Sequence, residues 1–386
     1  MNSDLHTYQQ LRETPDLFHQ LSETADSSLK TQKQLRETYS PELVRLALTM
    51  AELRGRAKSK FSKADQMWFD RTGFEQSTME TVARWKAKRF ANTQLPVLDL
   101  CSGIGMDAIA IAGHTLVAGV DQNELMCTLA NWNADVYGVS QRVQFRVGDA
   151  TKELLDDALV HIDPDRRAGA QRAIRLEDYR PDLDFLEALP ERAIGGAIKL
   201  SPASNFGGKF PGCEVELISW QGECKEATVW FGKLQSDQPC RATLLPSEYS
   251  LAGDPWMARA PITGLDSYLH DPDPAIVRSG LLDVYAEEFG LSRLDDAEEY
   301  LTSHERIDHP GISSFRVLAD LPNNDKTIRK YFRDANFGQV EIKCRHVPVD
   351  AQKVRKKLTL NGAGAGVLIF ARLQGKTRAV IAERIS

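Results

Sequence analysis

The sequence predicts an α/β fold: an open, mainly parallel sheet, with a helical segment before it and a smaller α+β segment after it. Short apolar runs alternate with helical stretches from residue 97 to residue 200. Each of the first four runs ends in an aspartate, and a Gly-x-Gly turn follows the first. Pro96 opens that first run, and Val97 to Gly105 (VLDLCSGIG) reads as a buried strand carrying Asp99, then a sharp turn on Gly103 and Gly105. The helix starting near Met106 directs its free N–H groups and partial positive charge at whatever sits above the strand, as a nucleotide seat does. The second run, Leu116 to Val120, ends in Asp121, 22 residues after Asp99, where an acid can grip two ribose hydroxyls. The third, Val143 to Gly148, ends in Asp149 and Ala150; the fourth, Ala158 to Ile162, ends in Asp163-Pro164. One such aspartate is commonly a cap or a turn residue. Four in register place four carboxylates along the edge where ligands of these sheets bind. Gly195 to Leu200, Glu214 to Ser219 and Ala227 to Phe231 supply further strands, with Gly222 between the last two.

This pattern resembles the class I S-adenosylmethionine-dependent methyltransferases over about residues 92–235. The resemblance implies a Rossmann-like, seven-stranded core closed by a hairpin, with S-adenosylmethionine as cofactor. It places Asp99 near the methionine amino group, Gly103 and Gly105 under the cofactor, Asp121 at the ribose and Asp149 at the adenine amino group. Cys101, Gln122, Ala150 and Asp163 complete that cofactor set. The spacing from Gly103 to Ala108 also admits a dinucleotide, and Asp149-Ala150 with Asp163-Pro164 favours the methyl donor.

The residues after the fourth strand bear on the chemistry. Amino-methylating nucleic-acid enzymes of this class carry Asp/Asn-Pro-Pro-aromatic, in which the side chain and prolyl carbonyl accept from the target amine and the ring stacks on a flipped base. Here the segment is Asp163-Pro164-Asp165-Arg166-Arg167, without the second proline and the aromatic. The carbon-methylating uridine enzymes place a cysteine after the next strand, where this chain has Lys199-Leu200-Ser201-Pro202. Asp163, Pro164, Asp165 and Arg166 are therefore the catalytic candidates. Arg167, with Arg166, either holds a phosphate or carboxylate or braces the loop against Asp165, Glu177 or Asp178.

Upstream, Lys60 to Phe90 reads as a helix, a turn at Thr72-Gly73 and a second helix capped by Ser77 or Thr78 with Glu80 behind, bearing a stripe of Val82, Trp85 and Phe90. Phe69, Gly73-Phe74-Glu75 and the Thr-x-Glu after them are similar to the lobe of trimethylguanosine synthases and of bacterial methyltransferase-like proteins ending in a THUMP-like domain. That likeness implies that Phe69, Glu75 and Gln76 face the donor or the acceptor base.

Beyond residue 235 the charge splits. Residues 240–325 carry 6 arginines, no lysine and 16 acids; residues 326–386 carry 14 basic residues and 4 acids, so the total of −6 averages two opposed regions. The tail reads as strand Phe315–Leu321, helix Lys326–Ala335, strand Val340–His346, helix Asp350–Leu358 and strand Val367–Leu373, with Arg378–Ala382 able to pair with the last. Its centre, EIKCRHVPVDAQKVRKKLTLNG, resembles the THUMP-like domain of the group just named. Lys343, Arg345, Lys353, Arg355, Lys356 and Lys357 suit an RNA backbone or, alternatively, dock on acids near Asp295, Asp296, Glu298 and Glu299. Arg54, Arg56, Lys58, Lys60 and Lys63 are candidates to extend the same path. The expected division is a helical lobe (1–91), a methyltransferase domain (92–235), an acidic connecting segment (236–314) and a basic α+β domain (315–386).

The remaining bounds fit an intracellular enzyme. No run approaches the ~20 apolar residues of a membrane span. The polar first thirty residues resemble no signal peptide, and the six cysteines show no Cys-x-x-Cys, as expected of reduced thiols in the cytoplasm. The histidines show no metal-ligand spacing. The function expected is methylation of RNA (transfer or ribosomal) at a base nitrogen. The alternatives are an RNA-binding protein with an inactive core, or a small-molecule methyltransferase. Oligomeric state, the RNA and the target atom are not legible.

Overall fold

The structure, a computed structural model, describes residues 3–23, 33–165, 167–168, 171–172 and 175–385. It divides into two compact units, residues 1–213 with 228–235, and residues 214–227 with 236–386.

In the first unit, helices α1 (Ser3–Arg12), α2 (Pro15–Glu23) and α3 (Pro41–Ala57) precede the sheet. Helix α3 starts where it does because Ser40 Oγ accepts from Leu43 N and Pro41 needs no amide partner; it buries Leu43, Val44, Ala47, Met50 and Leu53 at helical spacing. Helix α4 (Arg71–Gln76) contains the residues where the sequence suggested a turn, because the Asp70 carboxylate accepts from Thr72 N and Gly73 N. Helix α5 (Glu80–Ala91) has no side-chain cap. Thr78, a candidate cap, instead donates to Asp107 at 2.5 Å, and the Ser77 hydroxyl accepts from Lys60. Glu80 accepts from Ser62 N and Tyr137 OH. The buried stripe of α5 is Val82, Ala83, Lys86, Ala87 and Phe90, and Trp85 is only half-buried.

Next come β1 (Val97–Leu100), α6 (Met106–Ala112), β2 (Val117–Asp121), α7 (Glu124–Tyr137), β3 (Val143–Val147), β4 (Leu159–Ile162), α8 (Leu183–Arg192) and β5 (Gly195–Leu200); β6 (Glu214–Trp220) belongs to the second unit, and β7 (Glu223–Gly232) is counted with the first unit from residue 228 onward. The order within this unit is β7-β5-β4-β1-β2-β3, and β1–β5 pair in parallel. Gly105 at φ 87° makes the turn into α6, and a Cβ there would meet the Phe145 ring at 2.6 Å. Of the Arg54-to-Lys63 cations, Arg54 and Lys60 are partly buried, while Arg56, Lys58 and Lys63 are exposed. Arg54 lies over the Phe18 and Trp68 rings and donates to Met67 O, Lys60 donates to Phe74 O, and Lys63 donates to Val136 O. Arg56 and Lys58 pair with Glu52 and Asp65.

In the second unit, β8 (Cys240–Leu245) and β9 (Tyr249–Gly253) give the order β9-β8-β6-β7. All seven expected core strands are present, and β8 and β9 lengthen the series. Positive φ at Gln221 (51°) and Gly222 (80°) forms the tight link between β6 and β7. A further sheet, in order β11-β12-β10-β13-β16-β15-β14, comprises β10 (Tyr268–Pro272), β11 (Ser292–Arg293), β12 (Leu301–Ser303), β13 (Ile312–Pro322), β14 (Phe337–Cys344), β15 (Gly364–Leu373) and β16 (Lys376–Arg384). Helices α9 (Pro274–Arg278), α10 (Leu282–Glu288), α11 (Asp325–Asp334) and α12 (Ala351–Lys357) accompany it. The tail follows the order read from sequence, with β15 and β16 antiparallel. The acidic stretch is not a separate connector, because its β10–β12 share this sheet with the basic tail. Opposite charge is one reason: Arg345 pairs with Asp271 and Glu299, and Arg372 with Asp295.

Candidate active site

The carboxyl edge of β1–β4 opens into a cleft of about 1100 Å³ within the first unit. Asp99, Cys101, Gly103, Gly105, Asp121, Gln122, Asp149, Ala150, Asp163, Pro164 and Asp165 all line it, brought together by the parallel register of the strands. Each carboxylate sits in its own environment. Asp121 accepts from Gly103 N at 2.9 Å and Asn123 N at 2.8 Å, which fixes its plane, and burial still pushes its carboxyl up. Asp149 accepts from Thr151 N and Oγ1 and pairs with Lys152, and these bonds hold its carboxyl below the ordinary range. Asp163 pairs with buried Lys199, which lies one strand over on β5 and also donates to Gln76 O. Asp165 accepts from Gln76 Nε2 at 3.0 Å, and its backbone exchanges two hydrogen bonds with Arg180.

Asp99 is buried and receives His161 Nδ1 at 2.6 Å; the two residues are register partners on β1 and β4. Burial pushes the Asp99 carboxyl up, and His161 opposes that shift. On the far side of the ring, Lys86 Nζ lies 3.4 Å from Nε2 and 2.8 Å from Asp107 Oδ1. Burial alone would raise the Asp107 carboxyl, but Lys86, His161 and Lys199 together outweigh it and hold the group well below the ordinary range. Burial pushes the Cys101 thiol up, so it is no ready nucleophile.

The cleft's chemistry fits a nucleoside carrying an amino-acid end: oriented carboxylates for hydroxyls and amines, and a glycine turn over which a ligand can approach. Ser102 Oγ is buried at the cleft without a hydrogen-bond partner among the described residues, a polar atom that a ligand can satisfy. Among the described residues no group of three or more His, Cys, Asp or Glu is arranged to hold a metal, and no helix is long and apolar enough to cross a membrane.

Other candidates lie elsewhere. Phe69 is fully buried between Phe61 and Phe74, so its ring faces the lobe's core; Glu75 is exposed outside the cleft lining. Gln76 does line the cleft. Arg166 lies outside the described residues, and Arg167 is described only as backbone, in a two-residue strand paired with Gln171–Arg172. Glu177 pairs with Lys209. In the second unit, Lys343 and Arg345 are bound to Asp271, Arg345 also to Glu299, so these two take the docked alternative. Arg355 donates to Val340 O, Lys357 pairs with Asp325 and Lys353 with Asp350, while Lys356 is exposed. The sequence reading gives no site role to Thr78, Lys86, Asp107, His161 or Lys199. Their one signal is polarity inside buried runs, such as the histidine in LVHI and the lysine in AIKL.

Three family models match parts of the chain. Residues 95–186 match the family described as RNA cap guanine-N2 methyltransferase, residues 312–384 the THUMP domain-like family, and residues 4–57 a domain of unknown function. An uncharacterized S-adenosylmethionine-dependent methyltransferase of Mycobacterium tuberculosis is 30% identical over 334 residues, which is 83% of this chain and 90% of that protein. A solved structure from Porphyromonas gingivalis W83, assigned as a methyltransferase, covers 97% of this chain and 99% of its own with TM-score 0.78 at 20% identity, a likeness of fold.

Proposed function

The chain belongs to the S-adenosylmethionine-dependent methyltransferases, and from that premise we propose that it methylates RNA at a base nitrogen. The observation that carries the reading is the convergence of the four strand-end aspartates on one cleft, with Asp163-Pro164 at its edge. The cofactor supplies an electrophilic methyl group. The chain's residues bind and orient: Asp99 receives the amino group of the methionine end, Asp121 the ribose hydroxyls and Asp149 the adenine amine. Lys199 holds the Asp163 carboxylate by one oxygen, so the carboxylate is set to accept an N–H of the attacking amine while the Pro164 carbonyl accepts the other. Gln76, bonded to Asp165, ties that loop to the helical lobe. The family matched over residues 95–186 supports a base nitrogen as target, and the THUMP-like match together with the exposed basic helices of the tail supports RNA.

The test is incubation of the pure protein with labelled S-adenosylmethionine and total cellular RNA. Transfer to RNA, abolished by Asp163→Ala while cofactor binding persists, is the expected result. RNA retained without transfer would turn the reading to an RNA-binding protein with an inactive core. Label appearing only in small molecules would remove RNA as substrate.

A further inference from the structure

We infer that His161, braced by Lys86 and Asp107, is a positioning residue that sets the Asp99 carboxylate for the cofactor's α-ammonium group. The inference rests on the assignment of Asp99 made above. Thr78, Lys86, Asp99, Asp107 and His161 are all buried, and they come from four different elements and the turn before α5. The chain is continuous: Thr78 Oγ1 to Asp107 Oδ2 at 2.5 Å, Asp107 Oδ1 to Lys86 Nζ at 2.8 Å, Lys86 Nζ to His161 Nε2 at 3.4 Å, and His161 Nδ1 to Asp99 Oδ1 at 2.6 Å. His161 Nε2 also lies 3.8 Å from Asp107 Oδ1.

The chemistry of the partners fixes the direction of the chain. A lysine ammonium has protons to give and no lone pair, so the ring nitrogen facing it carries the lone pair. The ring proton is then on Nδ1 and is donated to Asp99. One oxygen of Asp99 is thereby held while the carboxylate remains at the cleft lining. Burying two carboxylates and an ammonium costs more than a well-packed apolar floor would, so stability is a poor reason for this arrangement. A fixed carboxylate beneath a cationic ligand group is a better one.

The test compares two probes by calorimetry. S-Adenosylhomocysteine carries the amino-acid end; 5′-methylthioadenosine shares the adenosine and thioether but lacks it. His161→Leu is expected to weaken S-adenosylhomocysteine by about tenfold or more, the scale of a hydrogen bond to a charged group. Binding of 5′-methylthioadenosine should change less than about twofold. His161→Asn, whose amide N–H replaces that of Nδ1, should restore most of the difference. Should His161→Leu fail to fold, Asp107→Asn, which unbalances Lys86, is expected to shift the same ratio. A folded variant that weakens both probes equally, or neither, overturns the inference. Wild-type protein that binds neither probe would instead overturn the cofactor assignment itself.

Discussion

Asp121 shows how its neighbours orient a residue read from sequence. Its two oxygens are aimed by Gly103 N and Asn123 N, so both retain lone pairs for ribose hydroxyls. Asp121→Ala should weaken S-adenosylmethionine by about 2 kcal/mol in calorimetry, the scale of losing hydrogen bonds to a charged group. An unchanged affinity would take the ribose role from it. The strand-end acids were legible because position in a parallel sheet follows from run length and turn chemistry. Lys86 and His161 were not, because a lone polar residue in a buried run gives no sign of which distant side chain it meets. Phe69 misled for a related reason: its spacing matched a known lobe, but its ring fills the space between Phe61 and Phe74. His270 makes a pH prediction. Both its ring nitrogens bond serines, Ser314 and Ser303, and burial lowers it from 6.5 to about 4. The unfolded chain therefore binds more protons between those values. The associated stability is present above about pH 6.5 and is lost as pH falls toward 4, a change of about 3 kcal/mol. Denaturant melts of His270→Gln across that window should show a smaller slope with pH than wild type; an equal slope would assign the dependence to other groups.

At the scale of elements, helix α11 presents a cleaner basic face than the residues singled out from sequence. Ile328 and Phe332 are buried against the sheet cluster, while Lys326, Arg329, Lys330 and Arg333 are exposed. Helix α12 stands beside it, joined by the Lys357–Asp325 pair, and adds Lys353 and Lys356. Changing Lys326, Arg329, Lys330 and Arg333 together to alanine should weaken RNA binding and flatten its salt dependence. The log–log slope should fall by about 0.7 to 0.9 for each phosphate that is no longer neutralised. Changing Lys343 and Arg345 together should instead lower the melting temperature, since it takes both cations from Asp271 and leaves Glu299 with His346 alone. Filter binding and thermal melting on both variants separate these effects. If the α11 variant keeps the wild-type salt slope, RNA lies elsewhere. Composition signalled the basic tail but not that Lys343 and Arg345 were committed, because their partners Asp271 and Glu299 lie more than forty residues away in sequence.

For the whole molecule, the opposed charges of residues 240–325 and 326–386 belong to one folded unit, not to a linker and a domain. Sequence showed the charge boundary clearly, and it fell in the middle of a sheet: β13, before the boundary, pairs with β16, after it, from Phe315↔Arg384 to Pro322↔Arg378. Deleting residues 326–386 is therefore not the removal of an independent clamp. It strips β14, β15 and β16 from the seven-stranded sheet and leaves β13 with an open edge and the apolar side chains of its cluster uncovered. The truncated protein should lose hydrogen-exchange protection in β10 and β13. S-Adenosylhomocysteine binding should persist, because every residue lining the cleft lies between Asp70 and Asp182. Full protection in β10 and β13 after truncation would mean that the two charge regions fold separately after all. Loss of cofactor binding alongside loss of protection would mean that the first unit cannot hold its site without an intact second.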